Sequence, residues 1–312
     1  MEQNPVPPVC KGVWPVMLTP FTDDGEIDLH GLRSLIEFYI GNGVNGLFAN
    51  CLSSEVKELS PDEILLLCRK TIEYAAGRVP VASGIPDGTI PELADFAKRV
   101  ADEGADSVVI STNQIAREDD SESIWKNGME TLMGLTGNIP LGTYECPVPY
   151  KRLLSPALFE WIAQSGRVNF HKDTCCDLGQ IREKLLVSGN TPLHFFNAHL
   201  PTLTGSLAAG GDGYSGVDAN FFPELCVWIC EKHQTAPADL VHETVSFLEN
   251  ALEIYGGFYP LSSKLFLQMR GVEMTTRCRR KMPRHTPADL RKLQSLLQDY
   301  KQHDTQESIP AR

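Results

Sequence analysis

The chain has 312 residues, with 28 Lys and Arg against 40 Asp and Glu, a net charge of −12, and 42% hydrophobic residues. That length buries a full core without staples, and a charged fraction of 22% excludes wholesale disorder. The acidic balance argues against non-specific binding to nucleic acid or anionic membranes, and no apolar run approaches the roughly 18 residues that span a bilayer. The opening MEQNPVPPVCKG has neither a basic n-region nor an apolar h-region, so no secretory signal is read there. Nine scattered Cys without a C-x-x-C pair predict reduced thiols in a cytoplasmic protein, not a disulfide framework or a zinc module.

In chain order, residues 1–11 read as a flexible Pro-rich segment. Short apolar or β-branched runs then alternate with amphipathic segments. Strands are predicted at Val13 to Leu18, Gly46 to Asn50, Val79 to Ser83 and Ser107 to Ser111. Four more are predicted at Leu141 to Tyr144, Val168 to His171, Leu193 to Asn197 and Gly213 to Val217. They carry little alternation, as expected of parallel strands buried on both faces.

The intervening segments read as helices with explicit start signals. Leu32, Leu35, Ile36, Tyr39 and Ile40 share one helical face. Ser60-Pro61-Asp62-Glu63 is a capping box with Pro at the first helical position; Thr89-Ile90-Pro91-Glu92 repeats the device, and Ser155-Pro156 opens another helix. Eight strand–helix units over 12–237 predict an α/β fold of the (β/α)₈ TIM-barrel type. A helical region over 238–303 and a polar tail over 304–312 complete the expected organisation.

Active sites of such barrels lie at the carboxyl ends of the strands. There Lys172 follows Val168-Asn169-Phe170-His171, and alternation puts Val168, Phe170 and Lys172 on one face. A Lys desolvated in the barrel mouth supplies the free amine that attacks a carbonyl and forms a Schiff base. Position alone leaves open a Lys whose amine reaches solvent or pairs with Asp173. Tyr144 ends the neighbouring strand, where a phenol can shuttle protons, or be merely a buried Tyr bonded to backbone. Ser53 and the amides around Leu52 to Ser54 can hold a carboxylate, or form an ordinary turn. Ser54, and Ser215 in the eighth predicted strand, complete the candidate binding residues.

Together these motifs resemble the dihydrodipicolinate synthase and N-acetylneuraminate lyase family of class I, Schiff-base-forming (β/α)₈ aldolases. The likeness runs from about Gly12 to at least Pro223. It rests on Pro15-Val16-Met17-Leu18-Thr19-Pro20-Phe21, Ser53-Ser54-Glu55 with Leu59-Ser60, Tyr144-Glu145-Cys146-Pro147, His171-Lys172-Asp173, Gly210-Gly211-Asp212-Gly213 and Asp218-Ala219-Asn220. The resemblance implies Lys172 as imine-forming nucleophile, Tyr144 as proton shuttle and Ser53 as the hydroxyl relaying protons to it. It implies that the amides of Leu52 and Ser53 hold the carboxylate of a 2-oxo acid, with no cofactor, and a homo-oligomer, dimer or tetramer. Aldol cleavage releasing pyruvate is the expected reaction; dehydration of a 3-deoxy-2-oxo sugar acid uses the same iminium.

Departures bear on the substrate. Cys51, Leu52 and Ser54 stand where the family has glycine, a hydroxyl residue and glycine. Asn113-Gln114-Ile115 replaces a Pro-Tyr-Tyr whose last Tyr crosses a dimer interface. Val148-Pro149-Tyr150 follows where the synthases have an Arg for a distal carboxylate, which argues against true dihydrodipicolinate synthase activity.

Other signals are weaker. Gly211-x-Gly213-x-x-Gly216 fits the dinucleotide fingerprint literally but overlaps a strand. His171 and His199 end adjacent strands, the basis of a rival metal-dependent aldolase reading, yet no carboxylate is an evident third ligand. Cys175-Cys176 read as buried or inert thiols, and Arg277-Cys278-Arg279-Arg280-Lys281 as a solvated helix end or interface. A catalytically silent barrel with a binding role is the second rival.

Overall fold

The computed structural model describes residues 11–304, so the expected flexible start and polar tail lie outside the described residues apart from Lys11 and Asp304. Eight strands are present: β1 (Gly12–Val13), β2 (Leu47–Ala49), β3 (Val81–Gly84), β4 (Ser107–Ser111), β5 (Leu141–Tyr144), β6 (Val168–Asp173), β7 (His194–Asn197) and β8 (Gly213–Tyr214). All pair in parallel, in the order β1-β8-β7-β6-β5-β4-β3-β2, and a parallel bridge between Val16 and Phe48 joins the two ends. The fold is the expected (β/α)₈ barrel. Helices α1 (Leu29–Gly41), α2 (Pro61–Ala75), α3 (Ile90–Asp102), α4 (Glu122–Thr136), α5 (Pro156–Gln164), α6 (Leu178–Ser188), α7 (Leu203–Ala208) and α8 (Pro223–Lys232) follow successive strands. The C-terminal region adds α9 (Ala238–Tyr255), α10 (Leu261–Met269) and α11 (Pro287–Asp304). Among the described residues no helix is long and apolar enough to cross a membrane.

The start signals act as read. Ser60 caps α2 reciprocally with Glu63, whose carboxylate accepts the Ser60 amide at 2.8 Å. Strand lengths differ where a donor is missing. β1 is shorter than the predicted run because Pro15 has no N–H; its carbonyl still accepts Phe48 N. β3 begins after Pro80 for the same reason, and β8 stops where Val217–Asn220 turns into a 3₁₀ helix. β8 passes so close to β1 that a Cβ on Gly213 would meet the Gly12 carbonyl at 1.8 Å, which explains glycine there without a phosphate ligand.

One element of the strand reading is corrected. Leu141 pairs with Val168, but Gly142 pairs with Phe170, so Asn169 is an extra residue that breaks the alternation of β6. Val168 packs in the outer, helix-facing core, whereas Phe170 packs inside the barrel. Alternation resumes beyond the bulge. Trp14, Phe48, Phe170 and Phe196 form an aromatic floor, with Phe170 and Phe196 stacked at 4.8 Å and Trp14 at 5.3 and 5.5 Å from them. That floor carries the site.

Candidate active site

Two residues beyond Phe170, Lys172 enters the barrel at the carboxyl end of β6, in register with Tyr144 of β5. Its amine lies 4.5 Å from the centroid of the Tyr144 ring and 5.9 Å from that of Phe48. Lys172 is 5% exposed, and among the described residues no carboxylate or hydrogen-bond acceptor is paired with its Nζ. Burial therefore lowers its pKa from 10.5 to about 8, with the Cys51 and Cys146 thiols acting weakly in the other direction.

Asp173, the carboxylate that could have neutralised Lys172, points the other way. Its Oδ2 accepts from Lys184 of α6 at 2.5 Å, and Glu145 Oε1 accepts from the same ammonium at 2.6 Å. All three side chains are fully buried outside the barrel wall. Burial alone would raise the Asp173 pKa, but His171 and Lys184 outweigh it and hold the carboxyl well below the usual range. Glu145 also accepts the amides of Leu154 and Thr174, pinning the ends of β5 and β6. The sequence reading missed Glu145 and Lys184: a lone Lys on α6 gives no sign of an inward partner.

This cluster revises the metal reading. His171 does have carboxylates nearby, Glu145 at 3.9 Å and Asp173 at 3.8 Å, and these three are the only set of metal-ligand type among the described residues. The Lys184 ammonium is already bonded to both carboxylates, however, which is a cation in the place a metal would take. His199 is not in the set; it bonds Thr202 instead. The donor set does not fit a metal while Lys184 holds it.

Across the mouth, the loop after β2 is tightly set. Asn50 and Glu55 both adopt left-handed backbone conformations around a single 3₁₀ turn, Leu52–Ser54. The amides of Leu52 and Ser53 head that turn, and among the described residues neither has an acceptor. Ser54 is not offered to a ligand: its hydroxyl donates to the Met17 carbonyl and accepts from Cys51 N. Ser215 is likewise spent, donating to the Trp14 carbonyl at 2.9 Å. Ser53 is buried beside this turn, and Tyr259, a residue the sequence reading did not single out, accepts from the Asn220 amide at 2.7 Å.

Buried Glu55 joins this loop to the C-terminal region. It accepts from Lys264 at 2.9 Å and from the amide of Arg280 at 2.8 Å. The basic run 277–281 is thus neither a helix end nor simply solvated. It belongs to an irregular strap between α10 and α11, and Arg279 pairs with Glu63 beside the mouth. Cys175 is half-buried and Cys176 exposed, which corrects the buried alternative for this pair; partial desolvation still raises both thiols, in keeping with an inert role.

A cavity of about 220 Å³ opens over the site, lined by Tyr144, Phe48, Cys51 and Leu52 toward the floor. Lys172 and Ser53 do not line it themselves; the amine lies over two rings that do. Farther out, Lys57 and Asp87 face each other at 2.6 Å, leaving the wall charge-balanced. Asn113 holds the carbonyls of Cys146, Val148 and Tyr150, so the segment expected to lack the intersubunit Tyr serves as a loop brace.

Residues 9–300 match the model of the dihydrodipicolinate synthetase family. The chain belongs to that family. It is 26% identical over 273 residues to the 4-hydroxy-tetrahydrodipicolinate synthase of Methanococcus vannielii, covering 85% of this chain and 86% of the relative. The Ruegeria pomeroyi synthase is 30% identical over 216 residues, 69% of this chain and 73% of that one. Among solved structures, a prophage protein of the dihydrodipicolinic acid synthase family from E. coli K12, in complex with pyruvate, superposes with a TM-score of 0.81 at 24% identity, covering 93% and 98% of the two chains. The dihydrodipicolinate synthase of Thermotoga maritima gives 0.84 at 20% identity, covering 94% and 99%. These likenesses carry the fold of this lyase and aldolase family.

Proposed function

We propose that this family member is a class I lyase in which Lys172 forms a Schiff base with the keto carbon of a 2-oxo acid. The observation that carries the reading is the unpaired, desolvated amine of Lys172, whose neighbouring carboxylate is consumed by Lys184. At pH 7 a group with a pKa of 8 is roughly one-tenth free amine, against about one part in three thousand at 10.5. That difference makes the nucleophile.

The amine attacks the keto carbon, the carbonyl pair moves to oxygen, and the nitrogen passes one of its protons to that oxygen, giving a carbinolamine. Tyr144, kept protonated by burial, gives its proton to the departing hydroxyl, so water leaves and an iminium forms. The Tyr144 phenolate then takes the proton of the substrate hydroxyl beta to the iminium; that oxygen's pair forms the carbonyl of the leaving aldehyde as the carbon–carbon bond breaks, and the pair of the broken bond flows into the iminium, giving an enamine. The free amides of Leu52 and Ser53 are the donors for the substrate carboxylate.

The charge-balanced wall favours a neutral second half of the substrate. Synthase activity of the kind named for the archaeal relative is not carried over. The position after Pro147 holds Val148-Pro149, and the next arginine along the chain, Arg152, is bonded to main-chain carbonyls of residues 117–121. Aldol cleavage releasing pyruvate is the reaction proposed; product analysis separates it from dehydration of a 3-deoxy-2-oxo sugar acid, which runs through the same iminium.

The test is intact mass after incubation with pyruvate and borohydride, followed by peptide mapping. A single reduced adduct on Lys172, absent in Lys172→Ala, is expected. Adduct on another residue, or none with any 2-oxo acid, overturns the assignment.

A further inference from the structure

The loop that offers the Leu52 and Ser53 amides is held on two sides. On one, the Ser54 hydroxyl donates to the Met17 carbonyl at 2.7 Å, and the Thr19 hydroxyl donates to the Ser54 carbonyl at 2.7 Å. These bonds fix the turn to the segment after β1. At its other end stands Glu55, whose φ of 57° and ψ of 35° suit glycine better than a residue with a side chain. Its carboxylate is also buried. Both features are unfavourable unless something outside the loop holds them.

The C-terminal region supplies that hold. Lys264 of α10, itself fully buried, donates to Glu55 Oε1 at 2.9 Å and to the Arg277 carbonyl at 2.6 Å. The Arg280 amide donates to Glu55 Oε2 at 2.8 Å, so both carboxylate oxygens are engaged from more than 200 positions along the chain. Between these contacts, Arg279 donates to the Glu58 carbonyl at 3.0 Å and to the Glu63 carboxylate. The Lys264 ammonium and the Arg279 guanidinium each lie 4.7 Å from the centroid of the buried Phe21 ring, which seats both cations.

Apolar residues of similar volume would fill this space about as well, since desolvating two charges offsets their attraction. What the charges add is direction. Each carboxylate oxygen takes a different donor, which fixes Glu55 in place. Through the 3.2 Å bond from the Glu55 amide to the Leu52 carbonyl, it also fixes the 3₁₀ turn. Neither Glu55 nor Lys264 lines the cavity over the site, so any effect on substrate passes through that turn.

We propose that Lys264 and Glu55 are positioning residues: the strap between α10 and α11, acting through this buried pair, aims the Leu52 and Ser53 amides at the carboxylate of the 2-oxo acid. The C-terminal region thereby sets substrate affinity without touching the substrate. The inference rests on the Schiff-base reading above, and it concerns binding, not the chemistry at Lys172.

The full-length protein is titrated with pyruvate, trapped with borohydride, and the adduct on Lys172 is quantified by peptide mapping. The variant is Glu55→Leu/Lys264→Met, which removes both charges together and strands neither. Its half-saturating pyruvate concentration is expected to rise about 10- to 100-fold, the worth of one hydrogen bond to a charged group. The limiting rate of trapping should stay within about 3-fold of wild type, with the pH midpoint of that rate unmoved. A merely structural role would loosen the surroundings of Lys172 as well. A reduced limiting rate or a shifted midpoint therefore overturns the proposal, as does an unchanged half-saturating concentration. Should the double variant fail to fold, hydrogen exchange on the wild type gives the answer. Coupling between sites is reciprocal, so the pyruvate adduct should slow amide exchange over 277–281 as well as over 52–55; an unchanged strap overturns the proposal. Wild-type protein that gives no pyruvate adduct instead removes the imine reading, and this inference with it.

Discussion

Replacing Lys172 by Met should make the protein more stable at neutral pH while removing imine formation. The folded protein holds this amine at a pKa of about 8 against 10.5, so at pH 7 the ammonium is buried at a cost. The difference corresponds to roughly 3 kcal/mol. The sign follows from proton binding: between pH 8 and 10.5 the unfolded chain binds more protons at this site, so wild-type stability rises with pH across that window. Methionine fills similar space without a charge. Urea unfolding of wild type and Lys172→Met at pH 7, 8, 9 and 10 should show the variant ahead by up to that amount at pH 7, with the gap closing toward pH 10.5. A variant no more stable than wild type at pH 7, or a gap independent of pH, refutes the claim that desolvation sets the reactivity of this amine.

Other outcomes follow from the same geometry. The rate of adduct formation with pyruvate should climb with pH and level off above about 8, the point at which Lys172 is mostly free amine; a profile still climbing toward 10.5 contradicts its lowered pKa. Tyr144→Phe should cut turnover about 100-fold or more while leaving KM within a few-fold, and a change in KM alone would move Tyr144 from proton transfer to binding. Lys184→Met strands the Glu145 and Asp173 carboxylates and should cost about 3–5 kcal/mol in urea unfolding at pH 7. The stability Asp173 contributes is present above the ordinary Asp pKa near 3.9 and is lost as the pH falls below it, so wild type and Lys184→Met should converge in acid. Added zinc should leave the wild-type melting temperature unchanged, since Lys184 holds the only metal-type donor set among the described residues; a zinc-dependent rise would revive the metal reading.

The elements and their order were legible because they depend on local signals. Capping boxes at Ser60 and Thr89, Pro at the first helical position and unbroken apolar runs each act within a few residues, and the helices begin where these say. Lys172 and Tyr144 were legible for a related reason: a strand end in a barrel has one place to go, and parallel register puts adjacent ends side by side. What was not legible depends on residues distant in the chain. The bulge at Asn169 has no signature of its own, and Lys172 faces inward because alternation resumes at Phe170, not because Val168 shares its face.

Sequence alone therefore determined the barrel, the family likeness and the candidate amine. It could not choose between a Lys172 paired with Asp173 and a free one, since the two residues are neighbours in the chain whatever the fold. Tertiary structure made that choice by bringing Lys184 from α6 to Asp173 and Glu145, behind the wall. Likewise only packing spent the hydroxyls of Ser54 and Ser215 on the carbonyls of Met17 and Trp14, far away in the chain. The physical reason is the same in each case. Whether a polar group is reactive or structural depends on who else satisfies it, and in a closed barrel those partners arrive from anywhere in the chain.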